Sequence, residues 1–543
     1  MKKSFTIIII AFILILAFFL RVWKLDTTPV AISNDEVVRA YNAYSIWETH
    51  GYTVDKRFLP LSTSSDGQDL SPVSFYLSAP ITGIFGLNLF TARIGYALVG
   101  VLSVFGMYLL GSQLFNKKIG LLSSFVLAVS PWHILVSRGL WDAGVSMCLY
   151  IYALFVFVKY VGTRKMLFSI PLWVLGLYAY HGTVIFLLLI MLGLVVIYHK
   201  QLVKNIKMSL LFACLTTVFI LPIIYFITSG SLNRESVLFW KSEITSSEAQ
   251  KRVREERERS SGPVILKAFF NNTATYYLKE VTYNYLNAFS ADHLFIRGDI
   301  TRITGYGNYL WGAMHLIELP FLLAGVYFIF RSKYRKSAYI VLVGLLAAPV
   351  TSAIILMDRT YLFRSIMMVP FLSLLVGYGI WVLLTILQKK YSTIFSIALP
   401  VIILAYLFFI AKYTYSYMYQ YGIFGGEHLF KSSRDVAEYV TQNKEQYSQV
   451  YVKSPEYYFL LQYAFFNNID PSVMQSIWNE KSKRIGNVTF VDWCISPDEF
   501  GNPDEKHGIL YIAPHDCVYS FTPLTTLNDV EVPIRALWNV YER

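Results

Sequence analysis

Long apolar runs recur along most of this chain and constrain its fold more than any other feature. The first covers residues 5–20, the last covers 393–412, and the pattern then stops. Because a helix needs about 20 apolar residues to cross a bilayer, such runs indicate membrane spans. The chain is also 55% hydrophobic and only 15% charged, whereas soluble proteins carry about 25% charged residues. A soluble enzyme, a disordered chain and a disulfide-stapled secreted module are therefore excluded.

Eleven of these runs predict transmembrane helices. They lie near residues 5–20, 91–113, 119–136, 143–161, 166–180, 182–198, 208–228, 309–330, 337–357, 366–387 and 393–412. The first run follows Lys2 and Lys3 and could also be read as a signal peptide. It lacks a small-residue cleavage site before Arg21, so we expect it to be retained as the first span.

The basic residues predict the orientation of these spans. Cytoplasmic loops of membrane proteins are rich in Lys and Arg, and six basic clusters fall in every second loop. They are Lys2/Lys3, Lys117/Lys118, Arg164/Lys165, Lys200/Lys204/Lys207, Arg331 to Lys336, and Lys389/Lys390. This pattern predicts a cytoplasmic N-terminus and accounts for the net charge of +12 without nucleic acid as a partner. The same pattern predicts that three long segments lie on the extracytoplasmic side of the membrane, namely residues 21–90, 229–308 and 413–543.

The predicted fold class is an α-helical polytopic membrane protein with an extracytoplasmic C-terminal α/β domain. The membrane domain covers residues 1–412 and the second domain covers 413–543. In the tail, Arg434–Gln446 has the pattern of an amphipathic helix, whereas Gln449–Lys453 and Gly508–Ala513 have the pattern of strands. The change in pattern after the last span supports this boundary.

A charged stretch and two cysteines in the outer segments indicate whether these segments lie in water and in an oxidising compartment. Residues Glu248–Arg259 alternate in charge, which predicts a solvated helix and not a nucleic-acid patch. Cys494 and Cys517 both lie in the tail, where they form a disulfide if the tail is extracytoplasmic or stay free if they do not meet.

Acidic residues are concentrated in the first outer segment. Asn34, Asp35 and Glu36 open a helical pattern, so Asn34 or Asp35 either caps that helix or places a carboxylate beside a membrane-bound substrate. Asp69 precedes the apolar stretch Val73–Pro80, which is too short to span a membrane and is expected to lie at the interface.

A third acidic position lies in the short turn between the third and fourth spans. Arg138 and Asp142 stand there, and they either pair with each other or take part in chemistry at the membrane face. All three acidic positions fall on the outer side of the predicted topology. We therefore expect them to belong to one site.

The order of these segments resembles the GT-C membrane glycosyltransferases. The segments are Arg21-Val-Trp-Lys-Leu25, Pro29, Asp35-Glu36, Asp69 to Tyr76, and Ser137-Arg138-Gly-Leu-Trp141-Asp142-Ala143. The likeness is greatest to the branch of protein O-mannosyltransferases and lipid A aminoarabinose transferases. It covers roughly residues 1–410 and is strongest over 20–145. It implies an inverting enzyme that moves a sugar from a polyprenyl-phosphate carrier to a protein, lipid or envelope glycan at the outer membrane face.

The resemblance also implies roles for individual residues. Asp35, with Glu36 beside it, and Asp142 match the acidic positions of the family and are expected to be catalytic. Asp69 matches a carboxylate that can hold a metal in some relatives. Many relatives have Glu-Lys-Pro-Pro where this chain has Asp69-Leu-Ser-Pro72, so a divalent metal stays open. Asp69, Tyr76 and Arg138 are expected to bind the substrate.

Arginines on the outer face are the natural partners of a departing phosphate. Displacement at an anomeric carbon requires a carboxylate for the acceptor's proton and a group that stabilises the phosphate, and arginine pairs with phosphate in a bidentate manner. Arg359 and Arg364 lie between the ninth and tenth spans and are predicted to bind substrate, although they could instead cap a helix or pair with Asp358. Arg297 and Arg302 are further candidates.

Two other classes of membrane protein are alternatives to an enzyme. A transporter or flippase would carry ionisable residues near the middle of the membrane, and here Glu318 is the exception among nearly uncharged spans. A scaffold or assembly protein would suit the large tail. Because the carboxylates cluster outside the spans, the sequence favours chemistry at the membrane surface.

Overall fold

A bundle of long helices carries shorter helices and a β-sheet at one end. The structure, a computed structural model, describes residues 3–60, 63–65, 68–228, 243–299, 311–355, 361–424, 426, 430–453, 457–480, 483–495, 508–517, 519, 522–528 and 536–542. The first ten α-helices are α1 (Lys3–Val22), α2 (Asn34–Glu48), α3 (Pro72–Phe85), α4 (Leu89–Leu114), α5 (Lys117–Val129), α6 (Pro131–Ser137), α7 (Asp142–Tyr160), α8 (Ile170–Ala179), α9 (Val184–Lys204) and α10 (Ile206–Thr228).

The second half of the chain contributes thirteen further α-helices within the described residues. They are α11 (Glu243–Glu258), α12 (Val264–Phe270), α13 (Thr273–Asn287), α14 (Leu319–Ile329), α15 (Arg335–Ala347), α16 (Val350–Ile354), α17 (Tyr361–Arg364), α18 (Met368–Lys390), α19 (Ser392–Tyr415), α20 (Tyr421–Phe424), α21 (Lys431–Asn443), α22 (Tyr457–Phe466) and α23 (Pro471–Ile477). The predicted interfacial, charged and amphipathic helices correspond to α3, α11 and α21.

Eight of the eleven predicted spans contain helices that are long and apolar enough to cross a membrane, counted over the described residues. These are α1, α4, α7, α9, α10, α15 continued by α16, α18 and α19. A ninth consists of α5 and α6, which meet at a bend of 61° where Pro131 begins α6. The remaining two predicted spans contain the shorter helices α8 and α14. The protein is thus a polytopic membrane protein, as predicted.

The first outer segment folds over the end of the bundle. It contains α2, a two-stranded antiparallel hairpin of β1 (Thr63–Ser65) and β2 (Gln68–Leu70), and α3. Pro72 stands at the start of α3, where its missing N–H has no helical partner in any case. The helix then ends at Gly86, whose φ of 83° is easily adopted only by glycine. These breaks keep α3 separate from the span that follows.

The C-terminal region forms a six-stranded sheet. Its strands are β3 (Gln449–Lys453), β4 (Lys483–Ile485), β5 (Val488–Val491), β6 (Ile509–Pro514), β7 (Thr525–Asn528) and β8 (Ala536–Glu542). Their order is β4-β5-β3-β6-β8-β7. β3 lies parallel to both β5 and β6, and the outer pairs are antiparallel. The predicted strands Gln449–Lys453 and Gly508–Ala513 are therefore the two central ones.

The C-terminal region packs directly on α2. Tyr41 Oη donates to the backbone carbonyl of Ile469 over 2.6 Å, and Gln462 Nε2 donates to the carbonyl of Ile32 over 3.2 Å. Apolar side chains of α2 and α22 belong to one continuous buried cluster. The first outer segment and the tail therefore lie on the same side of the bundle, which requires an even number of crossings between α1 and the tail.

Cys494 and Cys517 are disulfide-bonded, with their sulfurs 2.06 Å apart. The bond joins the chain after β5 to the chain after β6 and lies beside the small buried cluster around Tyr511. Disulfides persist in oxidising compartments and are rare in the cytosol. The bond thus supports the predicted extracytoplasmic position of the tail.

The predicted orientation leads to a labelling pattern in intact cells. With Cys148 and Cys214 replaced by serine, a cysteine at the exposed Ser261 or Ser476 should react with an impermeant thiol reagent. A cysteine at the exposed Ser392, the first residue of α19 after the basic end of α18, should react only after lysis, because this end of the two helices is predicted to be cytoplasmic. Labelling at Ser392 before lysis, or at Ser261 or Ser476 only after it, would contradict this orientation.

Candidate active site

Arg39 of α2 connects two of the predicted carboxylates. Its Nε and Nη2 atoms lie 3.0 and 2.8 Å from Asp142 Oδ2. Nη2 also lies 3.9 Å from Oδ2 of Asp35, one turn earlier on the same helix. Because Asp142 is the first residue of α7, this ion pair holds α2 against one end of a membrane helix. Two carboxylates from distant parts of the sequence thereby meet around one cation.

The two carboxylates differ in their accessibility. The side chain of Asp35 is 43% exposed, whereas those of Arg39 and Asp142 are 7% and 5% exposed. Burial alone would lower the pKa of Arg39, but the charges of Asp142 and Asp35 raise it above the usual arginine value. Arg39 therefore remains a cation, and Asp35 is the carboxylate of this trio that a substrate can reach.

Ser33 is the N-cap of α2, so the alternative that Asn34 or Asp35 caps this helix is wrong. The Ser33 hydroxyl accepts a hydrogen bond from the Glu36 backbone N–H. In return, Glu36 Oε2 accepts from the Ser33 backbone N–H over 3.1 Å. This reciprocal arrangement is a capping box. The Asp35 carboxylate is not used by the cap and projects from the first turn of the helix.

Glu36 is fully buried and holds separate elements together. Its Oε1 accepts hydrogen bonds from Arg93 Nε over 3.4 Å and from the Leu140 backbone N–H over 3.1 Å. The side chains of Glu36 and Arg93 both have no exposed surface. This position disagrees with the predicted catalytic role, because both carboxylate oxygens already accept hydrogen bonds and neither faces solvent. Glu36 instead joins α2 to α4 and to the turn before α7.

Two buried arginines hold the connection between α1 and α2. Arg93 and Arg138 are both fully buried, and each donates to three backbone carbonyls. The acceptors are Leu25, Pro29 and Ala31 for Arg93, and Leu20, Lys24 and Thr28 for Arg138. Hydrogen bonds from a charged donor are stronger than those between neutral groups. The backbone that leads to Asp35 is therefore fixed from two sides.

The position of Arg138 differs from both sequence-based expectations. It was expected to contact substrate or to pair with Asp142, but Asp142 pairs with Arg39. The Arg138 guanidinium faces backbone carbonyls and stacks over the ring of Tyr417 at 5.4 Å. A side chain buried in this way has no surface for a substrate. We therefore assign it a structural part in the site.

The turn that carries Arg364 is held at both sides of its backbone. The N–H of Leu362 donates to Asp299 Oδ2 over 2.9 Å, and the carbonyl of Leu362 accepts from Trp132 Nε1 over 2.7 Å. Phe363 packs against Trp141 with tilted rings whose centroids are 4.4 Å apart, and Trp141 directly precedes Asp142. Arg364 is half-buried and thus lies in a turn that packs beside the carboxylate pair.

The other predicted arginines fall into two groups. Arg359 and Arg302, like Asp358, lie outside the described residues, so their predicted roles stay predictions. Arg297 forms a two-point ion pair with Asp292, with both distances 2.7 Å, and its side chain is 60% exposed. Arg297 thus belongs to a local surface ion pair.

Asp69 and Tyr76 lie on the elements that follow the hairpin turn. Asp69 pairs through its backbone with Ser64 in the hairpin, and its side chain lies outside the described part. Tyr76 of α3 donates its hydroxyl to the carbonyl of Pro60 over 3.0 Å and is 38% exposed. Among the described side chains, no three of His, Cys, Asp or Glu come together as a metal site would require.

The architecture is similar to that of solved membrane glycosyltransferases. The ArnT structure from Cupriavidus metallidurans, bound to undecaprenyl phosphate, has a TM-score of 0.56 at 12% identity and covers 99% of this chain and 98% of that chain. The chain has the GT-C fold. The Archaeoglobus fulgidus oligosaccharyltransferase, tethered with an acceptor peptide, has a TM-score of 0.52 at 12% identity and covers 85% of this chain and 63% of that one.

A family model matches part of this GT-C chain. Residues 69–226 match the family described as dolichyl-phosphate-mannose-protein mannosyltransferase. A search of curated proteins gives no match. The predicted resemblance to the membrane glycosyltransferases is therefore confirmed at the level of fold and of this family segment.

Two residues that organise the site were missed by the sequence analysis. Arg39 of α2 and Arg93 of α4 are both buried, and their carboxylate partners lie 103 and 57 residues away. Arg39 has one usable signal, because it stands four residues after Asp35 and such pairs face each other on a helix. Arg93 stands early in an apolar run, where a charge requires a partner.

The buried pair of Glu36 and Arg93 predicts a loss of stability. Glu36→Gln would leave the charge of Arg93 buried without its partner, and breaking a buried ion pair on one side costs about 3–5 kcal/mol. We expect a clearly lower melting temperature in detergent for Glu36→Gln. Glu48→Gln, at the exposed far end of the same helix, should melt like the unaltered protein. Equal melting of both variants would show that Glu36 is not a structural residue.

Proposed function

We propose that this GT-C protein is an inverting glycosyltransferase at the outer membrane face. It transfers a sugar from a polyprenyl-phosphate carrier to a hydroxyl or other nucleophile of a protein, lipid or envelope-glycan acceptor. The observation that carries the proposal is the exposed Asp35 carboxylate, which lies 3.9 Å from Arg39 beside the outer end of α7. The mannosyltransferase family segment and the likeness to ArnT support the same class of reaction.

Asp35 acts as the general base in this proposal. Its carboxylate accepts the proton of the acceptor while the acceptor oxygen forms a bond to the anomeric carbon of the sugar. The bond from that carbon to the phosphate oxygen breaks at the same time, and the phosphate leaves with the electron pair. A single displacement of this kind inverts the anomeric configuration. A positioned base contributes about 10²–10⁴-fold to such a reaction.

Arg39 and Asp142 position the base. Asp142 accepts two contacts from Arg39, so the guanidinium is held in one place while its Nη2 faces Asp35. Asp142 is 5% exposed, so it holds Arg39 in position and does not itself contact the substrate. This division gives the two family-matched aspartates different tasks, with Asp35 reacting and Asp142 anchoring.

Arg364 binds the carrier phosphate in this proposal, and Arg359 is a second candidate. The short helix α17, which ends at Arg364, packs on Trp141 through Phe363, which brings it next to the Asp142 end of α7. An arginine can contact two phosphate oxygens at once and stabilises the charge that develops as the phosphate leaves. Tyr76 and Asp69 are the remaining candidates for contacts with the substrate.

The described residues do not form a binding site for a divalent metal. Among the carboxylates around Arg39, Asp35 is the accessible one. It lies beside the Arg39 guanidinium, whose positive charge would repel a metal cation. Asp69 was the predicted metal ligand, and its side chain is outside the described part. A divalent metal at Asp69 therefore stays a prediction.

A transporter is the alternative class, and Glu318 was the residue in its favour. Glu318 is buried and its Oε2 accepts from the backbone N–H of His315 over 3.1 Å, which is a contact at the start of a helix. The carboxylates that surround Arg39 lie instead at the outer end of the bundle. This distribution favours an enzyme, and the variants below distinguish the two classes.

The role of Asp35 predicts a loss of turnover without loss of fold. Asp35→Asn keeps the shape of the side chain but cannot accept the proton, so sugar transfer should fall by about 10²–10⁴-fold. The matched control is Asp26→Asn, since Asp26 is exposed in the same outer segment. Transfer is measured with purified protein and a polyprenyl-phosphate sugar. Equal, mild losses in both variants would remove Asp35 from the reaction.

The role of Arg364 predicts weaker binding of the carrier. Arg364→Lys keeps the charge but loses the bidentate contact. A lost hydrogen bond to a charged group is worth about 1.5–3 kcal/mol, so affinity for polyprenyl phosphate should fall about tenfold or more. Arg297→Lys, in an exposed ion pair, should bind normally. Unchanged affinity of Arg364→Lys in nanodiscs would move the phosphate site elsewhere.

A further inference from the structure

The second outer segment carries an apolar surface that no other described part of the protein covers. None of the seven residues of α12 is buried. Its large apolar side chains are strongly exposed, with Val264 at 80%, Ile265 at 81%, Phe269 at 69% and Phe270 at 62%. Soluble proteins rarely leave such contiguous apolar surface in water. A surface of this kind requires an apolar partner.

The same surface continues along α13. Leu278 and Leu286 are 69% and 61% exposed, and the helix also carries several tyrosines, of which Tyr283 is 57% exposed. Tyrosine is enriched where a protein passes from the hydrocarbon of a bilayer to the headgroups, because its ring is apolar and its hydroxyl is polar. The combination of exposed leucine and tyrosine is typical of a helix in the membrane plane.

The position of α13 relative to the spans places it at the membrane boundary. The hydroxyl of Tyr285 donates to the carbonyl of Leu346 over 2.8 Å. Leu346 belongs to the span α15 and is itself 44% exposed, so its side chain faces lipid. α13 therefore lies directly against a lipid-facing surface, and the exposed side chains of α12 and α13 extend that surface outward from the bundle.

The charged helix α11 contacts the apolar segment through polar groups. The charged helix α11 joins the two apolar helices through Arg257 Nε, which donates to the carbonyl of Asn271 over 2.7 Å. Lys279 of α13 lies 3.5 Å from Glu256 of α11. Charged residues are most frequent on α11, whereas large exposed apolar side chains are most frequent on α12 and α13. The three helices together form one amphipathic unit.

We propose that α12 and α13 are an in-plane membrane anchor whose partner is the phospholipid of the outer leaflet. The apolar side chains of α12 enter the hydrocarbon boundary, the tyrosines of α13 lie among the headgroups, and α11 faces water above them. Burying apolar surface in this way is favourable by about 25 cal/mol for each Å². The anchor is independent of the sugar-transfer chemistry and holds whether or not Asp35 is the base.

The experiment measures the depth of single positions in nanodiscs. An environment-sensitive fluorophore is attached to Ile265→Cys, to Phe269→Cys and, as the control on the charged helix, to Arg254→Cys, with Cys148 and Cys214 replaced by serine. We expect a blue-shifted emission at 265 and 269, strong quenching by doxyl-labelled phosphatidylcholine and weak quenching by aqueous iodide. Arg254→Cys should show the reverse. Iodide quenching at 265 and 269 equal to that at 254 would overturn the anchor.

A second measurement uses the protein without substitutions and so does not depend on the folding of the variants. The unaltered chain is placed in nanodiscs that contain photoactivatable phosphatidylcholine, illuminated and digested. Mass spectrometry should find lipid adducts on peptides from residues 264–286, in addition to adducts on the spans. Adducts confined to the spans would contradict the proposal, and neither measurement requires the donor, the acceptor or any catalytic turnover.

Discussion

Buried arginines that bind backbone carbonyls determine the geometry of the end of the helix bundle that carries α2. Arg93 lies in α4 and Arg138 directly follows α6, and both bind the connection between α1 and α2. Burying a charge is costly unless it is hydrogen-bonded, so the carbonyls of this connection favour one path of the chain. Asp35 follows this connection directly. Its position is thus set by interactions that never touch a substrate.

The pair of Glu36 and Arg93 extends the same principle to α2. Arg93 donates to the connecting loop and to Glu36, while Glu36 also caps the helix that it belongs to. Adjacent acidic residues therefore serve different purposes, since Glu36 is structural and Asp35 is exposed. Replacing a buried ion pair by apolar residues is often neutral for stability. Its consequence here is geometric, because it joins α2 to α4.

Most of the architecture could be predicted from the sequence, because hydrophobic runs and basic clusters are local properties. The capping box was also available in the spacing of Ser33 and Glu36. What could not be predicted were contacts between residues far apart in the chain. Glu36 was expected to be catalytic because only its neighbours in sequence were visible. Its partner Arg93, 57 residues later, is what removes it from solvent.

The packing of the tail on α2 has a consequence for the order in which the protein matures. Gln462 and Ile469 contact Ile32 and Tyr41, although more than 400 residues separate them in sequence. Ribosomes deliver the C-terminal residues last, so the helix that carries Asp35 gains these contacts only after every span has been synthesised. A truncated or stalled chain would hold the membrane helices but leave α2 uncovered. Only a chain that has been synthesised to its C-terminal region would then be active.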